Sequence, residues 1–412
     1  MLILSLGIIN QTAFAIDYAY FANLFNNSVS VIDTSRDVIV ATITVGPKAL
    51  GIATSPDQSK VYVTLANANS INIIDTNTNT TLGTIPVGMN PFGVAVTPDG
   101  AFVYVSNLVS NDVSVISTAT NNVIAAAFVG AAPQGIAITP NGNFAYVANS
   151  GSDNVSVINT TTNAVVTMVP VGTDPVSIAI SPDGDYAYVV NNTGNSVSVI
   201  DTATYLVTTF PLGSLGPCDI AITPDGNYAY ITNDGSVDVT TFDLATNTVS
   251  GTIPIGGIPD NMNIAITPDG RLAFVAYQNN VGRIDLATNT LAAVIPAPQF
   301  NAEITIVSFS DPFPPFPLSL VNISASAKAK NNTFLTETDI YNTLRWTTQN
   351  NGYTPTEFKI YRNKELIGSI QADAPLYFED HNLKKNQTYS YTIVAFDEIG
   401  PLGTVSITVK TK

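Results

Sequence analysis

Residues 221–233 read AITPDGNYAYITN, and close copies of this stretch recur along the chain. Its turn appears as SPDQ at 55–58, TPDG at 97–100, TPNG at 139–142, SPDG at 181–184, TPDG at 223–226 and TPDG at 267–270. The first four steps are 42 residues and the last is 44. Within each turn the proline presets φ for the first corner, the Asp or Asn tolerates the second, and the glycine supplies the positive φ that follows. A fixed period of this size is the signature of a propeller or a solenoid, and strand content decides between them. The unit that begins at Gly135 reads GIAIT, a PNG turn, FAYVANS, VSVIN, a TTTN turn and AVVTMVPVG. Apolar and small polar residues alternate with period two, which predicts four short strands buried on both faces. One such sheet cannot cover its own faces, whereas sheets set radially cover one another.

The strand count predicts seven blades. The repeat opens midway through a unit, with YAYFAN (18–23), NSVSVID (27–33) and VIVATITVG (38–46) but no preceding first strand. Six complete units follow, and then one further strand, AEITIVS (302–308), which no PDG turn follows. That strand fits the missing position. Paired beside residues 19–22 it would close the ring and remove the free edges that invite aggregation.

The runs VYVTLAN (61–67), VYVSN (103–107), AYVAN (145–149), AYVVN (187–191) and AYITN (229–233) resemble the repeat of the YVTN family of β-propellers. The resemblance spans about residues 16–308. It implies an exported protein at the cell surface or in the periplasm, like the surface-layer and exported propellers of that family, and implies no single activity. The last unit departs from the pattern, with Tyr277 in place of the asparagine.

Residues 309–317, FSDPFPPFP, read as a stiff extended linker. Residues 318–412 then hold short strands, among them NTLRWTT, TEFKIYR and TVSITVK. Leu383, Tyr389, Tyr391 and Ala395 resemble the corner of a fibronectin type III domain, and Trp346 stands where that family keeps a core tryptophan. The expected fold is therefore all-β: a seven-bladed propeller with a split closing blade, followed by an Ig-like or fibronectin type III sandwich. Residues 1–15, ending in Ala13-Phe14-Ala15, carry an apolar run and a small-x-small pattern that predict a signal peptide. Periplasmic, extracellular or surface residence follows as an expectation, with no membrane insertion.

Charge narrows the partners. The chain carries a net charge of −16 and only 11% charged residues, against 45% hydrophobic ones. Before residue 312 the sole basic residues are Arg36, Lys48, Lys60, Arg271 and Arg283, against twenty-two acidic ones. Such a surface repels phosphate backbones, so nucleic acid is excluded as a partner of the propeller. A protein, glycan or small molecule is expected instead.

Chemistry is sparse. His381, the only histidine, lies in the tail, which removes imidazole from any propeller triad or zinc site. Cys218 is the only cysteine and reads as a small buried apolar group. A propeller's ligand meets the mouth of its channel, where the loops enter each first strand. The residue just before each apolar triplet there is Gly51, Gly93, Gly135, Ser177, Asp219, Asn263 and Glu303 in turn. Asp219, Asn263 and Glu303, with Asp260 nearby, would set oxygens on one sector, a candidate calcium site. Capping of backbone amides at irregular blade junctions explains the same residues without a metal. Leu50, Phe92, Gln134, Val176 and Met262 are the candidate ligand contacts.

These features lead to the expectation of a non-catalytic exported scaffold that binds on the channel face. A structural surface-layer or adhesion component is one alternative. The other is a propeller enzyme of lactonase or lyase type that works with carboxylates alone, which requires a paired, pKa-shifted acid and base.

Overall fold

A computed structural model of the chain describes residues 16–256, 263–277, 279–297, 301–309, 321–333, 338–350, 354–363, 365–381, 383–397 and 401–411. The expected signal peptide, and all of the expected linker after Phe309, lie outside the described residues. The chain forms two compact units, one spanning Asp17–Ser308 and one containing Phe309–Lys412.

The first unit holds seven four-stranded antiparallel sheets among its described residues. Blade 1 has the order 301–309, 16–23, 28–33, 38–44, so the late strand Asn301–Phe309 lies innermost beside Ile16–Asn23. The split blade is formed as expected. Blades 2 to 7 begin with the inner strands Ala49–Thr54, Pro91–Val96, Pro133–Ile138, Pro175–Ile180, Pro217–Ile222 and Asn263–Ile266, and each runs outward in chain order. Among the described residues the one helical turn is Ala66–Ala68.

The apolar core lies between blades. Tyr188, Val190, Val197 and Leu212 of blade 5 pack against Ile220, Ala229, Ile231 and Phe242 of blade 6. Across the seam, Phe274, Val281 and Ile295 of blade 7 meet Ala19, Phe21, Ile32 and Ile304 of blade 1. Full burial of side chains of this size contributes about 1.5–3 kcal/mol each. The seam also carries an ion pair, Arg283 to Asp37 at 3.1 Å.

The repeated polar letters have defined tasks. In the TPDG turn at 223–226, Asp225 Oδ1 accepts from Thr223 Oγ1 at 2.5 Å and from the Asn227 amide at 3.1 Å. Gly226 sits at φ 72°, and a Cβ there would stand 3.4 Å from Pro182 of the preceding blade. In blades 1, 3, 4, 5 and 6 the asparagine that ends the second strand is buried and donates across to the third strand, as from Asn107 Nδ2 to Ser114 Oγ at 2.9 Å and from Asn149 Nδ2 to Ser156 Oγ at 2.9 Å, while blade 2 has Leu65 there. Blade 7 replaces this pair as a unit. Tyr277 takes the asparagine position, and Gly282 takes the serine position, where a Cβ would press to 3.2 Å of the tyrosine ring. The tyrosines form latches between neighbours. Tyr20, Tyr104 and Tyr230 each donate to an asparagine Oδ1 in the outer turn of the next blade (Asn79, Asn163, Asn289) at 2.6–2.7 Å. Where Tyr205 replaces that asparagine, the Tyr146 hydroxyl has no partner among the described residues.

The second unit contains a three-stranded sheet, 321–333, 338–350, 377–380, and a four-stranded sheet, 365–371, 357–362, 388–396, 401–410. Trp346 of the first meets Phe358 of the second, ring centroids 5.7 Å apart. Buried Tyr391 ties the sheets by donating to Asp380 Oδ2 at 2.6 Å and accepting from Asn342 Nδ2 at 2.9 Å. His381, read from sequence as a solvated turn residue, stacks on Tyr341 at 4.6 Å and lies 3.6 Å from Glu379.

Close approach of the inner strands generates a prediction. A Cβ on Gly51 would stand 2.1 Å from the Phe92 carbonyl oxygen of the next blade, and backbone cannot step aside. One on Gly251, in an outer strand, meets nothing within 4 Å. Gly51→Ala should therefore destabilise by about 1–3 kcal/mol or more, while Gly251→Ala should be neutral or slightly stabilising. Thermal melts of the two variants check the contrast; equal shifts would count against this packing.

Candidate active site

The inner strands carry a bulge just where they pass the mouth. In blade 6, Pro217 pairs with Asn233 but Asp219 pairs with Thr232, so Cys218 is the extra residue. Blade 5 repeats this between Pro175 and Ser177. A bulge bends its strand and re-aims the neighbouring side chains. On blades 2, 3 and 4 the bulge position is Gly51, Gly93 or Gly135, where an added Cβ would come within 2.1–2.8 Å of the next blade's backbone. From Ser177 onward there is room for side chains, and they reach to the neighbouring blade.

Asp219 spends both oxygens in this way. Oδ1 accepts from Ser177 Oγ at 2.6 Å, and Oδ2 accepts from the Ile264 amide of blade 7 at 2.9 Å. Glu303 Oε2 accepts from the Ile52 amide of blade 2 at 2.8 Å. Among the described residues Glu303 Oε1 has no hydrogen-bond partner. Both carboxyl groups thus do cap amides at blade junctions, as the metal-free alternative anticipates. Nearby Thr54 and Thr305 share a hydrogen bond at 3.0 Å, which ties the closing strand to blade 2.

These side chains border a cavity of about 310 Å³ at the channel mouth. Leu50, Phe92, Gln134 and Val176 line one arc; Ser177, Cys218, Asp219, Asn263 and Glu303 line the other. Leu24, Asn192 and Asp234 reach in from the loops after the second strands. Four of the five expected ligand contacts are therefore on one wall. Asp260 and Met262 lie outside the described residues. Sequence reading placed the second-strand loops on this face but did not single out Leu24, Asn192 and Asp234. Cys218 is partly buried, packs against the core cluster between blades 6 and 7 as a small apolar group, and also borders the cavity; its sulfur lies 3.3 Å from Thr232 Oγ1.

Burial raises the Asp219 and Glu303 carboxyl groups, as it does Asp17 and Asp37 elsewhere in the propeller. Asp219 and Glu303 each keep an edge on the cavity while protein closes round their other sides. Burial, then the charge of Asp219, push Glu303 up to about 8, against the smaller opposing pull of the Ile52 amide. Burial also raises Asp219, opposed by the bonds from Ser177, Ile264 and Ile220. The pair titrates as a unit in which Asp219 ionises first and Glu303 keeps its proton at neutral pH. By contrast the turn aspartates, such as Asp99 and Asp225, are held below the usual range by the hydroxyl and amide donors of their turns. No group of three or more His, Cys, Asp or Glu that could hold a metal stands together among the described residues.

A radial seven-bladed β-propeller with a coupled acid pair in its mouth has the layout of a channel-face enzyme. A family model described as "Lactonase, 7-bladed beta-propeller" matches residues 51–170, 119–209 and 160–288, overlapping segments that span more than half the chain. The chain belongs to that family. No curated protein matches it. Among solved structures it is similar to hydrazine synthase of Kuenenia stuttgartiensis, with a TM-score of 0.60, 23% identity, and coverage of 65% of this chain and 92% of that one. It is also similar to a proposed 6-phosphogluconolactonase of Bacteroides uniformis, with a TM-score of 0.61, 17% identity, and coverage of 71% and 99%. A counterpart from Bacteroides fragilis gives 0.61, 18%, 72% and 99%. At these identities the likenesses speak for the fold. The family match overturns the expectation of a non-catalytic binding scaffold and, with it, the expectation that the protein is not an enzyme. The missing histidine misled, because the coupled pair Asp219 and Glu303 joins residues 84 positions apart and shows only in the folded ring.

The raised Glu303 makes stability depend on pH in a defined direction. A carboxyl whose folded pKa of about 8 exceeds an unfolded value of about 4.3 contributes fully below the unfolded value. That contribution is lost as pH rises through the folded one. Glu303→Gln keeps the acceptor for the Ile52 amide and never ionises. Its melting temperature relative to the parent should climb between pH 5 and pH 8 and then level off. A constant offset across that window would remove the assignment.

Proposed function

We propose that the protein hydrolyses a lactone at the channel mouth, with Glu303 donating a proton and Asp219 accepting one from water. The observation that carries this is the placement of two carboxyl groups on one cavity wall in a chain of the lactonase family. Asp219, the anion of the pair, has lone pairs beyond the two already used and takes the proton of a bound water. The hydroxide oxygen bonds to the lactone carbonyl carbon. Asn263, on the blade between the two acids, offers amide donors of the kind that stabilise the developing oxyanion. The ring C–O bond then breaks, and Glu303 protonates the departing alkoxide. The new carboxylic acid ionises, one proton returns to Glu303, and one proton per turnover reaches solvent. Two groups with unlike environments thus divide acid and base work. Both acids already spend oxygens on protein donors, which favours this role over that of calcium ligands.

The finer assignments rest on the same footing. The buried YVxN asparagines and tyrosine latches support YVTN-type repeats. The three-plus-four strand arrangement of the tail supports a fibronectin type III domain. There Tyr389 Oη accepts from the Lys384 amide at 3.0 Å, in the manner of a tyrosine corner. The Ala13-Phe14-Ala15 pattern supports export.

Proton release from a panel of γ- and δ-lactones tests the activity. Glu303→Gln and Asp219→Asn should each lower kcat/KM by about 10²–10⁴, the usual worth of general acid–base catalysis. The basic limb of the parent pH profile should fall near 8 and vanish in Glu303→Gln. Turnover that survives both substitutions would place the chemistry elsewhere.

A further inference from the structure

We infer, resting on the lactonase reading, that the substrate is an uncharged monocyclic lactone with a short apolar substituent and no phosphate or other anionic group. Size comes first. A cavity of about 310 Å³ falls at the small end of the range of small-molecule sites. That suits one ring with a short side chain.

Charge is the second argument. An anionic substituent needs a cation, and sites for phosphate usually present arginine or lysine. Among the described residues no lysine, arginine or histidine lines the cavity. Arg36 and Arg283 are committed to Asp33 and Asp37, and Lys60 and Arg271 follow the TPDG-type turns. Lys48 is on a loop entering blade 2 but is not part of the cavity wall. Residues 257–262 and 298–300, which lie outside the described residues, contain no basic residue in their sequence. The wall instead presents Asp219 and Asp234, with Glu303 holding its proton, and low-dielectric surroundings focus the field of the charged groups on whatever enters. A phosphorylated sugar lactone, the kind of substrate named for the two Bacteroides neighbours, would be repelled.

The third argument is the division of the wall. The acids stand on the arc of blades 6, 7 and 1, while Leu50, Phe92 and Val176 stand on the arc of blades 2 to 5. A lactone whose ester faces Glu303 lays its substituent against those apolar side chains. Gln134, with Ser177 and Asn192 of blade 5, supplies the polar side chains of that arc, and Gly51, Gly93 and Gly135 add none.

The test compares a δ-alkyl-δ-lactone, glucono-δ-lactone and 6-phosphoglucono-δ-lactone on the full chain. The alkyl lactone should lead, and the phosphorylated one should trail by at least about thirtyfold in kcat/KM. Raising salt should narrow the gap by screening the repulsion while leaving the alkyl lactone unchanged. Gln134→Arg, which places a cation on the cavity wall, should improve the phosphorylated substrate relative to the alkyl one by tenfold or more. Equal or better turnover of the phosphorylated lactone by the parent overturns the inference and leaves lactone hydrolysis standing. Should no lactone be turned over, the catalytic reading fails, and binding decides the substrate class separately. A neutral alkyl δ-lactam that raises the melting temperature where 6-phosphogluconate does not upholds the class; the reverse result, or no shift from either, ends it.

Discussion

Every blade of the propeller has two apolar faces, and no blade can cover its own. That constraint organises the structure. The clusters that exclude water are shared between neighbours, so each sheet is half of two cores, and the ring must close for the first and last sheets to be covered. Closure falls to Asn301–Phe309, which arrives from the far end of the unit and pairs innermost in blade 1. The same strand delivers Glu303 to the cavity and anchors it to the Ile52 amide of blade 2. The proposed general acid is thus carried on the element that completes the fold. Stability and chemistry meet in one strand.

The burial that makes Glu303 useful also works against the fold, since an ionised carboxylate among low-dielectric walls is costly. The structure limits that cost by leaving the proton in place and giving the neighbouring Asp219 both a hydroxyl and an amide donor. One partner is solvated by protein dipoles and ionises; the other stays neutral. Active sites commonly separate their acid and base through such environments. Membership of a lactonase family favours the proposed reaction class, and the lack of basic side chains on the cavity wall among the described residues underlies the proposed substrate class.

Much of the fold was legible because the repeat is written in turn chemistry. Thr-Pro-Asp-Gly states its own geometry, and the orphan strand at 302–308 could be matched to the missing first strand by counting. The polar letters were harder. Nothing local shows that Tyr104 donates to Asn163, fifty-nine residues on, because the partner belongs to the next blade. The mouth was half legible. Aligning the inner strands brought out Asp219, Asn263 and Glu303 together, and four of the five expected ligand contacts border the same cavity. Their chemistry was not legible, since a pKa depends on what surrounds a group in space. The absence of histidine therefore carried too much weight, and the enzyme reading was undervalued.

The inner ring has one further consequence. At Gly51, Gly93 and Gly135 a single methyl group would strike a neighbouring main chain, whereas the equivalent places at 177, 219, 263 and 303 already carry side chains. Divergence toward new substrates in proteins built on this plan is thereby channelled. Three of the seven lining positions are frozen by geometry, and an altered repertoire has to be composed on the remaining four.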